Sequence, residues 1–149
     1  MSVAAKVSLL SAYVLRPGHW DATAEQWSRM LPHDWPGDAA KNLADLVASG
    51  AAEVWKLYRE GEDTGDAHGL LVASVDRNFS PPEFVVQAAY SLAPGNADLT
   101  AQCLPAIEAR ARSLGCGTVR FHTMRPGLVA KSLRAGFHVS EVVMRKPLR

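Results

Sequence analysis

The stretch from Phe84 to Leu114 constrains the fold more than any other part of the chain. An apolar strand, Phe84 to Leu92, empties through Ala93-Pro94-Gly95-Asn96-Ala97-Asp98 into an amphipathic helix that runs to Leu114. Leu99, Cys103, Ile107, Ala111 and Leu114 recur at helical spacing on one side of that helix. The strand is apolar enough to read as buried on both faces, so helices must cover both sides of its sheet. Pro105 removes a backbone bond, so the regular helix either starts near Gln102 or is kinked. A strand, a glycine turn and a helix are either a plain connection or an anion site. The first helical N–H groups have no partner within the helix, the dipole favours negative charge there, and Gly95 lets a ligand come close to the backbone.

The flanking chain supplies the other elements. Lys6 to Leu15 is rich in Val, Leu and Tyr and reads as a strand that stops at the turn signal Pro17-Gly18. Asp21 can cap a helix through Arg29, and Asp38 starts a second helix to Ala48 that Ser49-Gly50 closes. Ala52 to Arg59 alternates. The acidic, glycine-bearing segment Glu60 to Asp66 is a hairpin loop, and His68 to Asp76 is the next strand. Pro81-Pro82 cannot lie inside a ladder, so the chain turns there before Phe84. After the central helix, Gly115-Cys116-Gly117 is a stop and Thr118 to Thr123 is a short strand. Pro126 opens a helix to Arg134 with Leu128, Val129 and Leu133 as its apolar face, Gly136 caps it, and Phe137 to Lys146 alternates as a last strand. The order is β-α-α-β-β-β-α-β-α-β, a mixed α/β (α+β) architecture with helices on both faces of one sheet. The strands near Phe84 to Ala89 and Thr118 to Thr123 are expected to be parallel neighbours that splay after Leu92. The expected core includes Leu71, Val85, Leu104 or Ile107, Leu133 and Phe137.

Length and composition narrow the function. The 149 residues fit a single domain, and the 48% hydrophobic and 21% charged residues suit a packed core. A net charge of +1 gives no general electrostatic case for nucleic acid or a membrane surface. No apolar run is long enough to span a bilayer, and the N-terminus lacks the pattern of a signal peptide. Two cysteines, Cys103 and Cys116, make neither a disulfide framework nor a cysteine-rich zinc site, so a reduced, cytoplasmic setting is expected. The histidines and acids show no metal-ligand spacing.

On this element order, and on Leu133-Arg134-Ala135-Gly136-Phe137 before a closing strand, the chain resembles the GNAT family of acyl-CoA-dependent N-acyltransferases. The stretch Leu92-Ala93-Pro94-Gly95-Asn96-Ala97 is similar to that family's cofactor signature, Gln/Arg-x-x-Gly-x-Gly/Ala: Gly95 and Ala97 fit, Leu92 departs, and Pro94 supplies no N–H. The resemblance implies acetyl-CoA as cofactor, direct transfer of its acetyl group to the amine of a small molecule or peptide, and polarisation of the thioester oxygen by a backbone N–H of the strand before Gly95. Many members carry a tyrosine four residues before Gly-Phe, thought to protonate the leaving thiolate. Here Ser132 stands in that place, and a serine hydroxyl is a far poorer acid than a phenol near pKa ~10. The compact, degenerate form is also similar to GNAT-like proteins of tailed bacteriophages. That likeness implies an alternative: a domain without catalysis that serves as a structural or interaction component in a virion. Protein partners or a homo-oligomer are compatible with either.

Under the resemblance, Leu92, Gly95, Asn96, Ala97, Asp98, Leu99 and Arg125 are the cofactor-binding candidates. Asp98 is either a helix cap or a carboxylate that repels phosphate, and Arg125 and Lys131 either meet phosphates or form a solvated basic face. The amine must lose a proton before it attacks, which calls for Glu, Asp or His. His122 at the end of a strand and Glu83 before the cofactor turn are the candidates beside Ser132, with Gln87 and His138 nearby in sequence. Trp20, Trp27, Trp35 and Trp55 either line an aromatic acceptor pocket or cover one face of the sheet.

Overall fold

The computed structural model describes residues 13–21, 27, 39–62, 65–92, 99–123 and 126–148. Five strands, β1 (Tyr13–Pro17), β2 (Ala52–Arg59), β3 (Gly69–Asp76), β4 (Glu83–Ser91) and β5 (Thr118–Phe121), form one sheet in chain order. The first four are antiparallel neighbours, and β5 lies parallel to β4. Three helices are delimited: α1 (Ala39–Ala48), α2 (Leu99–Ser113) and α3 (Pro126–Arg134). Trp20, Asp21 and Trp27 are also helical, so Asp21 sits within a helical turn instead of capping it. Residues 6–12 of the expected first strand lie outside the described residues.

The alternation of β2, β3 and β4 sorts side chains onto two faces, each with its own core. On one face Ala52, Val54, Leu70 and Val72 pack with Trp27 and with Leu43 of α1. On the other, Leu71, Ala73 and Phe84 pack with Ile107 and Ala111 of α2, and Cys103 and Leu114 complete the stripe. Helices therefore cover both faces, as the apolar character of β3 and β4 requires. Of the expected core, Leu71, Val85 and Ile107 are buried. Helix α2 begins at Leu99, not near Gln102, and carries the exposed Pro105 within it.

Two features place β5. The Gly117 N–H donates to the Pro82 carbonyl at 2.9 Å. A Cβ on Gly117 would stand 2.3 Å from Pro81 Cγ, so only glycine lets β5 start against the Pro81-Pro82 corner. The two strands then pair from Glu83↔Thr118 to Val86↔Phe121. There the pairing ends, at Val86 and not after Leu92, and Thr118–Phe121 is shorter than the expected strand to Thr123. One consequence is that β4 is not buried throughout: Ala89 and Ser91 are exposed, and among the described residues no strand pairs with that half beyond Val86 on the β5 side.

The closing strand expected over Phe137–Lys146 does not form. This segment has no strand, and Val139, Val142, Val143 and Met144 are exposed. Alternation gives β-propensity, but a strand also needs a neighbour to exchange hydrogen bonds with, and here it has none among the described residues. For the same reason Leu133 is 52% exposed instead of buried, while its neighbour Ser132 is covered. Phe137 is half-buried, its ring edge-on to Phe121 with centroids 5.3 Å apart.

Candidate functional site

The separation of β4 from β5 is built by a bulge. Ala73 pairs with Val86 but Val72 pairs with Ala88, so Gln87 is an extra residue on β4. Its Nε2 donates to Ser74 Oγ at 2.9 Å, which ties the bulge to β3. Val86 is also the last β4 residue paired with β5. The parallel pair is therefore tight over four residues and opens where the bulge bends β4, leaving a fork at the carboxyl ends of two parallel strands. That end of a parallel pair is where α/β sheets seat ligands.

Backbone direction inside the fork follows from one bond. The Leu92 N–H donates to the His68 carbonyl at 2.8 Å, which puts the Leu92 peptide groups on the β3 side. By the alternation of antiparallel ladders, the peptide groups of Ala89 face the opposite side, toward the gap that β5 has left. A donor aimed into a gap can polarise a carbonyl oxygen held there.

The candidate residues separate into three groups. Gly95, Asn96, Ala97, Asp98 and Arg125 lie outside the described residues. Leu99 is the first residue of α2. Leu92 is half-buried against the core around Trp27 and Leu43, and its N–H is already given to His68. His122 follows Phe121 directly and is exposed, at the mouth of the fork. Ser132 is buried on α3, where its Oγ donates to the Leu128 carbonyl one turn back at 2.7 Å. The hydroxyl proton is thus spent within the helix.

Glu83 is at the other end of the pair. It opposes Thr118, and His122 lies four residues further along β5, about 13 Å at the rise of a strand. Its carboxylate sits 3.1 Å from Arg120 Nε, close but not aligned as a hydrogen bond. Arg120 also donates from Nη2 to Asp76 at 3.2 Å. One guanidinium thus links the ends of β3, β4 and β5. The sequence puts Glu83 on the strand that leads into the cofactor turn, and the structure places it at the first residue of β4, the end away from that turn.

The tryptophans do not share one wall. Trp20 stacks on Trp27 with centroids 6.1 Å apart, and Trp27 meets Tyr90 edge-on at 5.4 Å, beside the open half of β4. Trp55 lies on the other face, under the Arg110 guanidinium at 4.7 Å. Trp35 lies outside the described residues. Sequence reasoning pointed to a backbone N–H of this strand without singling out Ala89, and missed the bulge at Gln87. The available signal was the single polar residue that interrupts the apolar run Phe84-Val85-Val86-Gln87-Ala88-Ala89. Among the described residues no three of His, Cys, Asp or Glu come together as a metal site, and no helix is long and apolar enough to cross a membrane.

No protein-family model matches the chain, and no curated protein matches it in sequence. Solved structures do match in shape. Aminoglycoside acetyltransferase AAC(6')-Iy, in complex with the bisubstrate analogue CoA-S-monomethyl-acetylneamine, superposes with a TM-score of 0.60 at 19% identity, over 92% of this chain and 98% of the other. An acetyltransferase of Trypanosoma brucei gives 0.63 at 16%, over 91% and 99%. Glucosamine-6-phosphate N-acetyltransferase of Arabidopsis thaliana gives 0.60 at 11%, over 93% and 99%. At these identities the likeness is one of fold: the chain has the mixed α+β fold of the GNAT acetyltransferases.

Proposed function

We propose that this chain is an N-acetyltransferase that moves an acetyl group from acetyl-CoA to the amine of a small molecule or peptide. The observation that supports it most is the fork: a short parallel pair, a bulge at Gln87, and the Ala89 peptide turned by strand alternation toward the gap. The residues fit a thioester there, because a carbonyl laid along β4 would meet a fixed backbone donor that costs no reorganisation. Acetyl-CoA would supply the activated acetyl group. The Ala89 N–H would hold the thioester oxygen, and backbone N–H groups of Gly95 to Leu99, with Asn96, Ala97 and Arg125, would hold the pyrophosphate. His122 would accept the amine proton at the mouth of the fork. Ser132 would at most orient a water, because its hydroxyl donates its hydrogen bond to the Leu128 carbonyl. Glu83 would hold the strand pair together through Arg120 and take no part in the chemistry. The Trp20–Trp27–Tyr90 group would form the acceptor side. We read residues 1–149 as a single domain that works in the cytoplasm.

A second reading has one observation in its favour. The position of the acid is taken by a serine whose hydroxyl is already bonded. On that reading the fold persists without catalysis, as an interaction component such as a virion part. Calorimetry and thermal shift with acetyl-CoA separate the two. A binder should be stabilised by mass action, Gly95→Asp should abolish the shift, and Asp98→Asn should strengthen it by removing a like charge while keeping the cap. No heat and no shift at millimolar acetyl-CoA would end the enzyme reading and leave the second.

A further inference from the structure

Charge is unevenly placed on the sheet face that Trp27 covers. Arg16, Lys56, Leu70 and Tyr90 stand in register across β1, β2, β3 and β4, so their side chains share that face. Leu70 is buried in the same core as Trp27, and Trp20 and Tyr90 pack against it. A Cβ on Gly18 would lie 3.3 Å from Lys56 Cγ, so the lysine stem runs along the backbone that leads into Trp20. The aromatic group is thus bounded by the fork beyond Tyr90 on one side and by two cations on the other. Lys56 is half-buried, stands directly opposite Arg16, and pairs with no carboxylate among the described residues. Like charges opposed across a strand pair repel, and partial burial strengthens the repulsion. The strand carboxylates on this face, Asp76 and Glu83, stand at its other end and are held by Arg120. Asp76 is six residues along β3 from Leu70, about 20 Å at the rise of a strand.

We propose that the acceptor is an amine with an anionic group at its other end, a carboxylate or a phosphate, and that Lys56 and Arg16 hold this group. The inference deepens the acetyltransferase reading and rests on it for the placement of the amine. The amine stands at the fork, an apolar middle crosses the Trp20–Trp27–Tyr90 group, and the anion meets Lys56. Lys56 is two strands from Tyr90, about 10 Å at the spacing of a sheet, so nitrogen and anion are about that far apart. An anion placed there turns one repulsion into two attractions. Lysine brings a compact point charge, which suits either anionic group. A second amine at that end would instead add a third cation, so the site selects by rejecting the wrong charge as well as by holding the right one.

Calorimetry with acetyl-CoA tests the enzyme reading. Titration of acceptor probes into the full chain without cofactor, followed by indole emission, tests this one. The probes are ω-aminooctanoate, ω-aminooctyl phosphate, ω-aminooctanamide with its neutral tail, and the α,ω-diamine of the same length. Both anionic probes should bind at least ~5-fold tighter than the amide, and the diamine more weakly still. The tighter of the two anionic probes names the group. Lys56→Met should remove the preference and leave amide binding unchanged, and Lys56→Glu should favour the diamine. Neither change should lower the melting temperature, because each relieves the opposition to Arg16, so loss of the site is told apart from loss of the fold. A diamine that binds as tightly as the acid, or a Lys56→Met chain that binds every probe equally more weakly, would overturn the assignment. So would a chain that binds acetyl-CoA but neither anionic probe. Anionic probes that bind through Lys56 in a chain that ignores acetyl-CoA would uphold the anion site and end the enzyme reading.

Discussion

Cys103 shows how burial on α2 controls chemistry at a single atom. Burial against the core pushes its thiol up to about 11. At pH 8 only about one molecule in a thousand would then carry the thiolate that reacts with disulfide reagents. Labelling of Cys103 in the folded chain should be at least ~100-fold slower than in denaturant. The linkage sign follows from the same shift. The unfolded thiol loses its proton from about pH 8.5, whereas the folded one keeps it to about 11. Between those values the folded state binds more protons, so stability falls as pH rises through that window. Melting temperatures measured across it should decline, and Cys103→Ala should flatten the decline. A chain whose Cys103 labels fast while folded would contradict the packing of α2 on the sheet. Arg120 marks what residue-level reading missed. The sequence singles out Glu83 as a candidate base, but its charged partner lies 37 positions away, on β5, and only pairing of β4 with β5 brings them together. Because both side chains are about a quarter exposed, Glu83→Gln should cost no more than about 1 kcal/mol in a denaturant titration.

At the scale of elements, local signals were read correctly where they were self-contained. The bounds of Ala52–Arg59 and Pro126–Arg134 follow from alternation and from a proline at a helix start. What escaped were features created by neighbours. The fork opens at Val86, where the pairing with β5 ends beside the bulge, and the bulge at Gln87 exists only relative to β3. Gly117 belongs to the same class, since its reason is Pro81, far off in sequence. Gly117→Ala places a methyl 2.3 Å from the Pro81 ring and should cost about 1–3 kcal/mol by overpacking, with β5 displaced from β4. Gly127→Ala is the matched control. It lies in α3 with open space around it and a normal backbone, so the change should stabilise by about 0.4–1 kcal/mol. If the two substitutions cost the same, the contact with Pro81 does not set the position of β5.

At the scale of the whole molecule, the sheet divides the apolar side chains between two cores, and the fork lies at the edge where neither core is complete. Fold class was legible because two-faced strands demand helices on both sides. The outermost layer was not, because alternation in Phe137–Lys146 cannot say which edge the segment meets. This division predicts how the cost of truncation falls across the molecule. Phe84 is 1% exposed at the centre of the core under α2, and Phe84→Ala should cost about 3–5 kcal/mol. Phe137 is half-buried and touches Phe121 at the margin, so Phe137→Ala should cost well under that, about 1–2 kcal/mol by the area it keeps from water. Chemical denaturation of both variants measures the difference. Equal losses would mean that Phe137 is packed as deeply as Phe84. The segment after it would then belong to the core instead of standing exposed at its margin.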